Sequence, residues 1–207
     1  MAENVNSKDL ISVLWSGADI LRSKMDANEY KDYLLGIVFY KYLSDSFLIK
    51  VYDLIYDEKP ESLSDALSAY KEALEDESAE ELKEQIISEF HYVIEPELTY
   101  TCFADAARNN KFNREQLQKA FNNIEQSDPI FTDLFTDIDL YSNRLGAGDQ
   151  KQSDTISALI KVIDSADLLN TDADVLGNAY EYLIGQFASE TGKKAGEFYT
   201  PQPVSKI

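Results

Sequence analysis

The chain has 207 residues, with 19 Lys plus Arg against 38 Asp plus Glu and a formal net charge of −19. At this length a compact domain hides roughly 70% of its unfolded surface, and 44% apolar with 12% aromatic residues supplies the core, which excludes disorder. No stretch reaches the roughly 18 apolar residues of a membrane span, MAENVNSKDL lacks the basic start and apolar run of a secretory signal, and the single Cys102 excludes an internal disulfide or a cysteine-rich zinc site, so a cytoplasmic protein is expected.

Leu10, Ile11, Leu14, Trp15, Ala18, Leu21 and Met25 recur at three- and four-residue intervals, a first amphipathic helix with Ser7 placed to cap it. Asp26 and Asn28 punctuate. From about Glu29 to Ile49 one stripe of Tyr30, Leu34, Ile37 and Val38 adjoins a second of Leu35, Phe39, Tyr42, Leu43 and Phe47. That apolar arc is too wide for an exposed helix and predicts a central one. Ser62, with Asp65 three residues on, begins a third helix carrying Leu63, Ala66, Leu67, Tyr70, Ala73 and Leu74; Ser78 with Glu81 reads as a capping box for a fourth with Leu82, Ile86 and Phe90.

His91 to Tyr100 breaks the period and contains Pro96, so it is read as extended or irregular. Helix resumes near Asn113 to Ile124, with Leu117, Phe121 and Ile124 aligned. After Pro129 a short apolar piece ends in Asp137 to Leu140, whose alternation fits a small strand. Gly146 to Gly148 is a loop, Ser153 to Asp164 a further helix, and Asp172 or Asp174 caps a last one bearing Val175, Leu176, Ala179, Tyr180, Leu183, Ile184 and Phe187. Helices cease at Thr191. A mainly α fold follows, with at most short strands.

The charge is uneven. Asp57 to Glu97 holds 14 acids and 3 bases, a net of −11, whereas Lys8 to Lys50 balances 6 against 6 and the tail from Thr191 is net +2. Lys and Arg release counterions from phosphates, so nonspecific nucleic-acid binding is opposed overall and any anionic ligand favours the two ends. His91 has no histidine partner for a metal site or a dyad, and Cys102 beside Phe103 reads as an inert core thiol. Neither a GxxxxGK[ST] loop nor a GxGxxG turn is present. By itself the chain reads as non-catalytic.

Three segments nevertheless resemble a known family. Leu14-Trp-Ser-Gly-Ala-Asp-Ile-Leu-Arg22 with Met25, then Tyr30-Lys-Asp-Tyr-Leu-Leu-Gly-Ile-Val-Phe-Tyr-Lys-Tyr-Leu-Ser-Asp45, is similar to the start of the modification subunit of type I restriction-modification systems, a DNA adenine N6-methyltransferase. Asp174-Val-Leu-Gly-Asn-Ala-Tyr-Glu-Tyr-Leu-Ile184 with Phe187-Ala188, and then Gly192-Lys-Lys-Ala-Gly-Glu-Phe-Tyr-Thr-Pro201, resemble the helix and motif that precede that family's catalytic domain. Tyr92-Val-Ile-Glu-Pro-Glu97 is a weaker echo between them. The segments keep the family's order and spacing.

The resemblance implies a helical N-terminal domain over 1–190 and the truncated start of a Rossmann-like methyltransferase domain over 191–207. It sets Glu197, Phe198, Tyr199, Thr200, Pro201 and Gln202 against the methionine portion of S-adenosyl-L-methionine. The family's glycine-rich cofactor loop and its Asn-Pro-Pro-Phe type motif are not in this sequence; Asp128-Pro129 is followed by Ile130 and cannot replace the latter. The catalytic residues therefore lie outside this chain, which is expected to be inactive alone. Implied partners are duplex DNA, a specificity subunit, a restriction subunit and a second modification subunit, with no membrane. In the balanced first two helices, Arg22, Lys24, Lys31, Lys41 and Lys50 are the candidates for DNA or subunit contact. Two other readings compete: an acidic helical DNA mimic, disfavoured because its carboxylates sit in one block, and a plain helical scaffold.

Overall fold

The computed structural model describes residues 3–168. Seven α-helices follow in chain order: α1 (Glu3–Arg22), α2 (Ala27–Tyr56), α3 (Leu63–Glu75), α4 (Ala79–Phe90), α5 (Tyr100–Arg108), α6 (Arg114–Ser127) and α7 (Asp149–Asp164). Single 3-10 turns at Pro96–Leu98 and Pro129–Phe131 join them, and no strand occurs among the described residues. The last helix and the tail of the sequence reading, with all six cofactor residues from Glu197 to Gln202, lie outside the described residues.

The 30-residue α2 is the axis, touching α1, α3, α5 and α7. Its apolar arc explains the position: Leu34, Ile37, Tyr40, Phe47, Leu48 and Val51 are all fully buried, on faces no single neighbour can cover. Gly17 and Gly36 set the closest approaches. A Cβ on Gly17 would come within 2.6 Å of Leu34 Cδ2, and one on Gly36 would overlap Ile138 Cδ1. The aromatic centre continues through Tyr40, 5.5 Å from Phe121, which stacks on Phe135 at 4.1 Å.

The irregular segment after α4 is pinned by tyrosines rather than by a ladder. Tyr70 donates its hydroxyl to the Ile94 carbonyl at 3.1 Å, Tyr40 to Leu98 at 2.8 Å, and Tyr92 to Leu43 at 3.2 Å. Each ring fills core; the Tyr70 and Tyr40 hydroxyls satisfy carbonyls that no α-helix or sheet provides for, while Tyr92 ties the segment to the Leu43 carbonyl within α2.

Four local expectations are corrected. Ser7 lies inside α1, which already runs from Glu3. Ser78 does not form a capping box; its hydroxyl bonds Asp76 at 3.2 Å, while Ser62 does cap α3 by accepting the Asp65 N–H at 3.2 Å. Asp137 to Leu140 is not a strand: burial alternates through Asp137, Ile138, Asp139 and Leu140, yet no partner strand exists among the described residues. The Asp139 carbonyl accepts the Tyr33 hydroxyl at 2.7 Å instead. Helix also begins at Tyr100, under a Thr99 cap, rather than waiting for Asn113. Cys102, on that helix, is half-buried against the core.

Candidate functional site

The five cations singled out in the sequence do not form one patch. Arg22 pairs with Asp19 at 2.9 Å and lies 5.4 Å over the Trp15 ring. Lys24 donates to the Leu145 carbonyl at 3.1 Å, and Lys31 reaches Asp32 at 2.6 Å. Lys50 pairs with Asp53 at 2.7 Å and lies 3.9 Å from Glu89. Along α2 the helical advance of ~100° and 1.5 Å per residue puts Lys31 and Lys50 on different faces and roughly 28 Å apart. Lys24 instead works locally: with the Glu29–Arg144 ion pair and Tyr33, it fixes the turn between α1 and α2 to residues 139–145.

Lys41 is a buried cation, 4% exposed, and so stands away from any surface that DNA or a subunit could reach. Its ammonium meets Asp45 at 2.5 Å, one turn on in α2, and sits 5.1 Å over the Tyr100 ring. Around this pair the remaining motif residues converge. Ser44 accepts the Tyr100 N–H at 2.8 Å, satisfying a free donor in the first turn of α5, and the Tyr100 hydroxyl donates to Ile160 in α7 at 2.9 Å. Asp164, at the end of α7, pairs with Arg108 of α5. The node thus ties α2, α5 and α7 together.

Its electrostatics follow from burial. Desolvation pushes the Asp45 carboxyl up to about 6; Lys41 opposes the rise, and the negative fields of Asp164 and Asp167 add to it. One carboxylate oxygen, Oδ1, has no hydrogen-bond partner. Burial, then Asp164 and Asp45, push the Tyr100 hydroxyl far above its ordinary value. A cavity of about 240 Å³ lies over the node, lined by Lys41, Asp45, Leu63 and residues 164–168, of which Ala166 and Leu168 are buried in the core. The arrangement is built to hold α2, α5 and α7 in register; it brings together no nucleophile and base.

Neither Asp45, Ser44 nor Asp164 was a candidate from sequence. The signal was there in Lys41 and Asp45, an oppositely charged i, i+4 pair that carries the only charges between Tyr33 and Ile49 of α2. His91 is more ordinary, capping α4 in a left-handed conformation with Nδ1 3.4 Å from Asp128. Among the described residues no cluster of three His, Cys, Asp or Glu could hold a metal ion, and no helix is long and apolar enough to cross a membrane.

Fold and node together define a helical-bundle domain organised on one central helix and a buried ionic junction. Residues 10–163 match the family described as HsdM N-terminal domain, and residues 171–207 match that described as N-6 DNA Methylase. The chain belongs to the HsdM N-terminal domain family. It is 29% identical over 209 residues to the type I restriction enzyme MpnII methylase subunit of Mycoplasma pneumoniae, covering 94% of this chain and 37% of that protein. It is 31% identical over 208 residues to the MjaVIII methylase subunit of Methanocaldococcus jannaschii, covering 99% and 31%. The crystal structure of a type I restriction-modification system methyltransferase subunit from Streptococcus thermophilus aligns with a TM-score of 0.86 at 50% identity, covering 97% of this chain and 42% of that one. The chain thus spans about a third of the length of the curated relatives it matches.

Proposed function

We propose that this chain is the helical N-terminal region, 1–190, and the first residues, 191–207, of the catalytic domain of a type I DNA adenine N6-methyltransferase subunit, acting in the cytoplasm. The observation that carries the reading is the succession of two family matches in one chain, helical domain first and methylase second. Methylating adenine N6 in a duplex requires turning the base out of the stack at a cost of a few kcal/mol, so the DNA must be held deformed from more than one side. A helical domain beside the catalytic domain can close over the duplex while the catalytic domain holds the flipped base. Arg22, Lys24, Lys31 and Lys50 are the cations offered for DNA or subunit contact.

In this reading the full-length subunit assembles as two copies with a specificity subunit, which chooses the target, and a restriction subunit adds cleavage. Glu197, Phe198, Tyr199, Thr200, Pro201 and Gln202 border the site of S-adenosyl-L-methionine, which supplies the methyl group when bound. Nothing favours the DNA-mimic alternative: the acids are densest in the one block Asp57 to Glu97, with 14 of the 38, instead of tracing a phosphate-like path along the molecule.

The test is tritiated methyl transfer to a target duplex. The full-length subunit with its specificity partner is expected to label adenine N6, and the 207-residue chain to label nothing; labelling by the chain alone, or of cytosine by the assembly, overturns the reading. In the full-length subunit Thr200→Ala is expected to raise the cofactor dissociation constant about tenfold, from loss of one hydrogen bond worth ~1.4 kcal/mol. An unchanged constant removes Thr200 from the site.

A further inference from the structure

The apolar arc of α2 is wider than its neighbours cover. Leu35 and Phe39, one turn apart, are only half-buried, and beside them a groove of about 310 Å³ opens between α1, α2 and the turn preceding Leu140. The buried Leu14 and Val38 line it deepest, and Leu134, 37% exposed, lines it together with Phe39. The floor is closed because Gly36 lets Ile138 lie directly on α2.

Its rim is acidic. Asp32 on α2 and Asp137 on the turn flank the opening; Lys31 already pairs with Asp32, and no ion pair reaches Asp137 among the described residues. Burial pushes the Asp32 carboxyl up, the hydrogen bond and charge of Lys31 oppose the rise, and the fields of Asp137 and Glu29 add to it, so Asp137 is the rim carboxylate left for an incoming cation.

We propose that this groove docks an amphipathic helical segment of another polypeptide, one that lays two large apolar side chains spaced i, i+4 between Phe39 and Leu134 and sets a lysine or arginine against Asp137. The lined part of α2, from Asp32 to Phe39, covers two turns or ~10 Å, the span of an i, i+4 pair with one flanking residue. The sign of the rim selects the occupant. A phosphate backbone is repelled, and a second copy of a chain with net charge −19 brings like charge to an acidic mouth. A basic helix with an apolar stripe meets both demands. The inference is independent of methyl transfer.

The test titrates the 207-residue chain into a fluorescein-labelled, alanine-based helical peptide with leucines at i and i+4 and an arginine at i+7, read by anisotropy. Saturable binding at ~10–100 µM is expected, weakened about tenfold when the arginine becomes glutamate. Asp137→Lys, at an exposed position, is expected to invert that preference with its melting temperature unchanged, and Leu134→Asp, 37% exposed in the parent, to abolish binding of either peptide while the chain still melts cooperatively. No saturation up to ~1 mM, or equal binding by both variants and the parent chain, overturns the proposal. So does sedimentation showing a concentration-dependent dimer that Leu134→Asp dissolves, which would give the groove to a second copy.

Discussion

The segment Tyr30–Asp45 on α2 and the acidic block Asp57–Glu97 are both largely helical, yet they use charge in opposite ways. In α2 a cation and an anion are sunk into the core and held 2.5 Å apart. In the block all 14 acids are exposed, and the buried residues of α3 and α4 are Ala66, Leu67, Ala69, Tyr70, Ala79, Leu82 and Ile86. The difference teaches where sequence is constrained by physics. A buried charge tolerates only its own partner, whereas an exposed carboxylate in water is nearly interchangeable with any polar group.

The largest test of that contrast is Lys41→Met. It leaves Asp45 in the core without its cation, and removal of one partner of a buried pair costs about 3–5 kcal/mol. Urea unfolding should show the loss, and the double variant Lys41→Met, Asp45→Leu should recover most of it, because a well-packed apolar pair avoids the desolvation altogether. A single variant as stable as the parent would mean the pair is not buried.

Next in size is Gly36→Ala. The new methyl overlaps Ile138 Cδ1, the buried end of a side chain that must turn aside; overpacking costs about 1–3 kcal/mol, offset by the ~1 kcal/mol that alanine gains over glycine inside a helix, which leaves a net loss of up to ~2 kcal/mol. Ile138→Val removes that carbon, so the double variant should be more stable than Gly36→Ala alone. If the two losses simply add, α2 does not meet the Ile138 turn as closely as described.

The same region carries a pH dependence with a definite sign. Asp45 sits at about 6 in the fold and near the ordinary ~3.9 when unfolded, so between those values the folded state binds the extra proton. Its contribution is therefore fully present below about pH 4 and lost as pH rises to about 6. The groups facing it are Lys41, Tyr100, Asp164 and Asp167. Asp45→Asn removes this titration, and the difference between the urea midpoints of parent and variant should change through that window and level off above it. A difference flat from pH 4 to 7 would contradict the burial of Asp45.

What the sequence made legible follows the same division. The axial role of α2 was readable because its arc of apolar residues is too wide for an exposed helix, and the Ser62 cap was readable because a hydroxyl before an apolar run has one local use. The α5 helix was missed although Thr99 and the series Tyr100, Phe103, Ala104, Ala107 carry the i, i+3, i+4, i+7 signal; alanine is too small to stand out, and Pro96 four residues earlier argued for irregular backbone. Asp137 to Leu140 alternates like a strand and is buried like one, but a ladder needs a partner that no local pattern reveals. Lys41 was read as a surface cation because periodicity locates a face and not what covers it: α5 and α7, which close over it, are distant in sequence.

The smallest effect belongs to the acidic block and its direction is still fixed. Glu72 and Glu75 lie in the last turn of α3, which holds no base, where carboxylates face the negative end of the helix dipole. Neither packs on the core, and the neighbouring acids Asp76 and Glu77 add repulsion. Glu72→Gln with Glu75→Gln should therefore raise the melting temperature, by no more than about 2 °C for a chain of this size, and the gain should fade in high salt as screening removes both terms. A fall in melting temperature would reverse the comparison with α2, because it would require those carboxylates to hold a cation or a cationic partner, making the block a binding surface in place of a solvated one.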